Sequence, residues 1–171
     1  MVHVGLEDIW IDAVIPARSP LHEIDVGQAF LWLGRVWRDA LAEVLSSSDD
    51  RLRLAQPASA RLAADRRFFC FAEVGHGEVL LDDRKVVGIS QRRTRTWTRL
   101  QSLFVPRWDP EAINEAVSTA IGGLPSQPSS LGAAPFNARE VKAGLPSTVV
   151  ANGDVVTAFL GRLPTVWPES T

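Results

Sequence analysis

The stretch that decides the fold is EVLLDDRKVVGISQRR, residues 78–93. Two apolar runs of strand-forming residues flank Asp82–Asp83, and Asp tolerates turn conformations, so the segment reads as a hairpin. Lys85 stands out inside it. Of 18 Lys+Arg in the chain only Lys85 and Lys142 are lysines. Lysine carries a compact point charge that can enter a pocket, whereas guanidinium is a broad planar fork. On residue identity alone, the favoured reading of Lys85 is the surface end of a turn.

Working outward, residues 68–105 read as a meander of short strands. RFFCFAEV (67–74) is the first, Gly75–His76–Gly77 a turn, and EVLL (78–81) the next. KVVGISQR (85–92) continues the sheet, and TWTRLQSLFV (96–105) follows after a bend. Further upstream, DIWIDAVI (8–15) alternates like a strand. DVGQAFLWLGRVWRDALAEVL (25–45) is the clearest helix, with Asp25 as its N-cap and an apolar face that includes Val26, Phe30, Leu33, Trp37 and Leu41. A Pro/Ala/Ser/Arg-rich stretch then runs to about residue 66. Past Trp108 the pattern turns to short helices. Asp109–Pro110 opens one that Gly122–Gly123 stops, Asn137 with Glu140 opens a second, and Asp154 caps a third. The expected fold is α+β, a mainly antiparallel sheet packed by one amphipathic helix. Residues 1–108 are expected to form the catalytic-type domain, and 109–171 a short-helix C-terminal segment.

Composition sets the class. With 46% hydrophobic and 22% charged residues the chain is ordinary for a globular domain. A formal net charge of −2 argues against a general nucleic-acid binder. The single cysteine, Cys70, precludes an internal disulfide and fits a reducing, cytoplasmic setting. No run of apolar residues reaches membrane-span length, and the N-terminus has no secretory pattern. His3, His22 and His76 form no metal-ligand pattern.

Taken together, Glu78, Lys85, Gly88, Ser90 and Gln91 form a constellation. A carboxylate and a lysine on either side of a hairpin turn can face one cavity, and a glycine three residues after the lysine admits close approach of a ligand. The block resembles the lysine motif of the lipoate–protein ligase and octanoyltransferase family, which reads Asp-Ile, a turn with Gly, then Lys-Ile-x-Gly-x-Ala-Gln. Lys85, Gly88 and Gln91 match it. Glu78 stands in place of the Asp, Asp83 in place of the turn Gly and Ser90 in place of the Ala. The segments IWIDAVIP (9–16) and LWLGRVWRDAL (31–41) are also similar to actinobacterial-type members, and the likeness covers roughly residues 4–105.

The resemblance implies a partial biotin/lipoate ligase catalytic fold that attaches lipoyl or octanoyl groups to carrier lysines through an acyl-adenylate. Lys85 would grip the acyl carboxylate, with Glu78, Gly88, Ser90 and Gln91 lining the substrate site. A hydrogen bond to a charged group contributes roughly 1.5–3 kcal/mol. Burial of an eight-carbon tail adds on the order of 5 kcal/mol at about 0.8 kcal/mol per methylene. The implied co-substrate is ATP with Mg²⁺, and Glu78 matches the position of a carboxylate near that ion; as a bare residue it equally reads as a solvated charge at a strand start. Lipoate or octanoate is the implied acyl donor. The implied partners are apo lipoyl domains, of 2-oxoacid dehydrogenase E2 or the glycine cleavage H protein. In the octanoyltransferase branch a cysteine at the spacing of Cys70 carries the acyl group as a thioester. Ligase members carry a similar Cys-Phe pair, and a lone cysteine among phenylalanines also suits a buried core.

The family's Arg-Arg-x-x-Gly-Gly-Gly segment has no counterpart here; Gly122–Gly123 is the sole Gly-Gly. The expectation is therefore a truncated start, a split enzyme with a complementing chain, or a member that binds without catalysing. An unpaired sheet edge would then favour self-association or a partner, and residues 1–171 alone would catalyse poorly. Arg92, Arg93, Arg95 and Arg99 read either as the outward side of a strand or as a dock for phosphate or an acidic carrier. An unrelated α+β module whose arginines bind phosphate or RNA is the reading outside the family.

Overall fold

The computed structural model of the chain describes residues 7–46, 51–56, 71, 74–122, 143–145 and 150–163. Among these residues five strands form one antiparallel sheet: β1 (Ile9–Pro16), β2 (Leu52–Leu54), β3 (Val79–Leu81), β4 (Arg84–Arg93) and β5 (Trp97–Phe104), in the order β1-β5-β4-β3-β2. Three helices among the described residues accompany it: α1 (Ala29–Val44), α2 (Pro110–Gly122) and α3 (Asn152–Gly161). The fold is α+β with an antiparallel sheet packed by an amphipathic helix.

Local chemistry explains the connections. Asp82 and Asp83 make the two-residue turn between β3 and β4 with φ of 48° and 64°. Two left-handed residues give the turn whose twist matches the strands it joins, and Asp adopts that conformation more readily than most side chains. Arg51, just ahead of the neighbouring β2, pairs with Asp82, and Arg53 within β2 pairs with Asp83. Between β4 and β5, the Thr94 hydroxyl accepts the N–H groups of Thr96 and Trp97 at 3.3 and 3.1 Å, which closes the bend.

The register sorts side chains by face. Ile9, Phe104 and Val87 stand across from one another, as do Ile11, Ser102 and Ile89. This face meets α1, whose buried Leu33, Val36, Trp37, Ala40 and Leu41 follow helical spacing. Trp37 is the centre of the core. Its ring stacks on Phe104 of the sheet at 5.9 Å and meets Phe159 of α3 at 4.6 Å. The segment beyond residue 108 therefore contributes to the main core through Val155 and Phe159. The opposite face carries Trp10, Leu103 and Gly88, then Asp12, Gln101 and Ser90.

Several expectations shift. The helix begins at Ala29, not at Asp25. The Asp25 carboxylate instead accepts the N–H groups of Gly27 and Gln28 at 2.7 and 3.1 Å, forming a turn ahead of the helix, and Val26 is exposed. Asp109 does cap α2, accepting from Glu111 and Ala112 at 3.1 Å, with Pro110 as the first helical residue. Asp154 is not the cap of α3; Ala151 holds that position, and Asp154 sits in the first turn, where the helix dipole favours a negative charge. The stretch after α1 contains a strand, β2, that composition concealed. The strand expected over 67–74 falls outside the described residues except Phe71 and Val74, neither of which is in a strand. The helix expected from Asn137 also lies outside them.

Candidate functional site

The position of Lys85 depends on an irregularity. Val79 pairs with Val87, but the next strand partner of Leu80 is Lys85, so Val86 is an extra residue in β4. Strict alternation from Val87 would place Lys85 under α1. The bulge instead commits both Val86 and Val87 to the main core, and Lys85 emerges on the opposite face. There its Cε lies 3.2 Å from where a Cβ on Gly88 would stand. A side chain at 88 would also meet the Phe71 ring at 3.0 Å, so glycine leaves room for both the lysine stem and the aromatic ring.

Lys85 is 1% exposed and Glu78 5% exposed. The Lys85 Nζ lies 2.7 Å from Glu78 Oε2 and 4.7 Å from the centre of the Phe71 ring. A cation over an aromatic face gains electrostatically, and more so when desolvated. Both carboxylate oxygens have further donors: the Gly75 N–H to Oε2 at 2.6 Å and the Ile89 N–H to Oε1 at 3.1 Å. The pair is thus buried and hydrogen-bonded on both sides, the condition under which an interior ion pair is tolerable.

Glu78 is held in place by packing behind it. Gly77, at φ +79°, turns the chain out of the Gly75–Gly77 loop. Its N–H donates to the Ala55 carbonyl at 2.9 Å, and the Ala55 N–H donates to the Glu78 carbonyl at 2.8 Å. The loop also fits against Phe30 of α1, so close that a Cβ on Gly77 would sit 2.9 Å from the Phe30 Cβ.

A small apolar cluster surrounds the lysine: Phe71, Leu103, Val105 and Ala143, with Trp108 packed on it and stacked on Phe71 at 5.9 Å. Ala143 forms a parallel bridge with Lys85, and the Gly144 N–H donates to the Lys85 carbonyl at 3.0 Å. The Arg84 guanidinium donates to the carbonyls of Ala143 and Gly144, securing that segment.

Of the residues singled out in the sequence, Lys85, Glu78 and Gly88 therefore meet. Ser90 lies on the same face and is exposed. Gln91 points the other way and donates to the Val26 carbonyl at 3.4 Å. Cys70 falls outside the described residues. Sequence reasoning missed Phe71, the two N–H donors and the 143–145 segment. The glycines flanking His76 were the available signal for the Gly75 donor.

The arginine run divides. Arg93 donates to the carbonyls of Glu23 and Ile24 and so ties down the loop before α1. Arg99 pairs with Asp12 across the sheet at 2.5 Å. Arg92 and Arg95 are exposed.

Glu78 is a poor ligand for Mg²⁺ in this arrangement. Its oxygens already accept two N–H groups, and the Lys85 ammonium lies 2.7 Å from Oε2. Among the described residues no group of three or more His, Cys, Asp or Glu could hold a metal ion. No described helix is long and apolar enough to cross a membrane.

The fold has counterparts among solved structures. A protein from T. acidophilum, provisionally assigned as a lipoate protein ligase and solved with lipoic acid bound, superimposes with a TM-score of 0.52 at 9% sequence identity, over 92% of this chain and 50% of that one. A biotin protein ligase variant from Aquifex aeolicus in complex with biotin gives 0.45 at 12% identity, over 94% of this chain and 53% of its own. This chain thus spans about half the length of each. No family model and no curated protein matches. The first likeness shows the fold alone: the sheet and its helices match part of the fold of the T. acidophilum protein.

Proposed function

We propose that this chain is a lipoate–protein ligase-like domain, joining lipoyl or octanoyl groups to a lysine of carrier lipoyl domains through an acyl-adenylate. The observation that carries the reading is a buried lysine, Lys85, set on the sheet of a ligase-type fold with its cation aimed at a carboxylate. An ammonium so placed stabilises a carboxyl group where charge shifts during acyl activation. The apolar cluster beside it, Phe71, Leu103, Val105 and Trp108, suits the start of an aliphatic tail.

In the reaction this implies, an acyl carboxylate oxygen attacks the α-phosphorus of ATP and pyrophosphate leaves. The carrier lysine amine then attacks the acyl carbon, AMP leaves and the amine loses a proton. Lys85 holds the carboxyl group. The carrier would be an apo lipoyl domain of a 2-oxoacid dehydrogenase E2 or the glycine cleavage H protein.

The closure around Lys85 favours one second reading, a carrier- or partner-binding subunit in which the Lys85–Glu78 pair is structural. Octanoyl transfer to an apo lipoyl domain with ATP, followed by mass spectrometry and paired with calorimetric octanoate binding, separates the two. The ligase reading expects octanoate binding that Lys85→Arg abolishes, because the guanidinium fork exceeds the space between Gly88 and Phe71. Carrier binding with neither octanoate binding nor transfer would establish the second reading instead.

A further inference from the structure

The three donors around Glu78 form a carboxylate site in their own right. Lys85 Nζ and the Gly75 N–H converge on Oε2 at 2.7 and 2.6 Å, and the Ile89 N–H meets Oε1 at 3.1 Å. Two of these donors belong to the backbone and the third to a side chain that is 1% exposed. The cradle is therefore fixed by the fold, whatever carboxylate fills it.

We propose that Glu78 is the resident occupant of this cradle and that an aliphatic monocarboxylate replaces it there, so that Glu78 competes with substrate for Lys85. The claim rests on the ligase reading for the identity of the incoming ligand, but not for the existence of the cradle. Three features support exchange. The occupant enters from the edge of a short turn: Gly75 is exposed, and Gly75 and Gly77 bracket His76. The carboxylate is held by hydrogen bonds and one ion pair that any carboxylate can reproduce. The buried cluster of Phe71, Leu103 and Val105, with Trp108 packed on it, makes the surroundings of the cradle apolar, which favours a ligand with a hydrocarbon tail over a small polar acid. Glu78 leaving as an anion also keeps the charge count around Lys85 unchanged when a carboxylate enters.

Two measurements test this. In the first, octanoate is titrated into the unaltered protein, Glu78→Gln and Glu78→Asp. Removing the competing charge is expected to tighten octanoate binding at least about tenfold in Glu78→Gln, with a smaller gain in Glu78→Asp, whose shorter side chain reaches the cradle less well. In the second, Glu78→Ala is melted in sodium formate and in sodium chloride at equal ionic strength. A ligand that binds only the folded state raises the melting temperature with its concentration. Formate is expected to stabilise Glu78→Ala and to leave the unaltered protein and Lys85→Met/Glu78→Ala unmoved.

Octanoate binding that needs Lys85 yet weakens in both Glu78 variants would overturn the exchange while leaving the ligase reading intact. Formate stabilisation of Glu78→Ala without octanoate binding to any variant would support the cradle and remove the ligase reading. A Glu78→Ala protein that gains nothing from formate, or that stays unfolded in both salts, overturns the cradle itself.

Discussion

Gly34, in the middle of α1, lies directly against the carbonyl of Gly77, so that a Cβ on Gly34 would collide with that oxygen and stand 3.1 Å from Leu54 Cδ2. A glycine inside a helix ordinarily costs roughly 0.5–1 kcal/mol relative to alanine. Here it allows the helix to seat on the turn that delivers Glu78. Gly34→Ala is therefore expected to destabilise by about 1–3 kcal/mol, the usual cost of overpacking, despite its better helix propensity. Gly153→Ala in α3, where nothing lies within 4 Å of the added Cβ, should be neutral or gain up to about 1 kcal/mol. The urea midpoint of Gly34→Ala is expected to fall while that of Gly153→Ala holds or rises, and a stabilised Gly34→Ala would refute the contact.

How much of this was legible in the sequence follows from which interactions are local. The apolar stripe of α1 and the Asp109–Pro110 start of α2 are written in adjacent residues, and both appear. The onset of α1 was displaced because the Asp25 carboxylate spends itself on Gly27 and Gln28, one turn early. Lys85 and Gly88 could be picked out as a pair, but the face they occupy could not. Val86 and Val87 are both apolar, so the pattern holds no mark of the bulge that reverses Lys85. The 143–145 segment beside Lys85 and the Phe71 ring over it arise from distant parts of the chain, and no periodicity announces them.

Breaking the buried pair should be more damaging than removing it whole. Lys85→Met leaves the Glu78 carboxylate inside the protein with only its two N–H donors, and the expected loss is about 3–5 kcal/mol. Lys85→Met/Glu78→Gln removes both charges and should recover a substantial part of that loss. The double-mutant cycle from denaturant unfolding measures the coupling. Additive single losses would mean that the two groups do not interact in solution.

Asp8, next to the start of β1, gives stability a pH dependence. Burial, with a smaller contribution from Glu7, raises its pKa from 3.8 to about 7. Between about pH 4 and 7 the folded state thus holds a proton that the unfolded chain has released. Unfolding stability contributed by this group is fully present below pH 4, falls as pH rises and levels off above 7. Asp8→Asn should flatten the profile across that window, read from melting temperatures at fixed ionic strength. An unchanged slope would assign the dependence to another group.

The β3–β4 turn poses a contest between backbone and side chain at Asp83. Its φ of 64° is left-handed, a conformation glycine adopts without the steric cost that a Cβ imposes. Against that, Asp83 pairs with Arg53, but both partners are largely solvent-exposed. Exposed ion pairs contribute about 0–1 kcal/mol and weaken with salt, whereas relieving a left-handed residue in a hairpin turn gains on the order of 1 kcal/mol. Asp83→Gly should therefore be neutral at low salt and stabilising in high salt, where the lost pair counts for least. Denaturation at two ionic strengths provides the measurement. A variant that stays destabilised in high salt would show that the Asp83 side chain supports the turn by more than its charge, and that the hairpin carrying Lys85 depends on it.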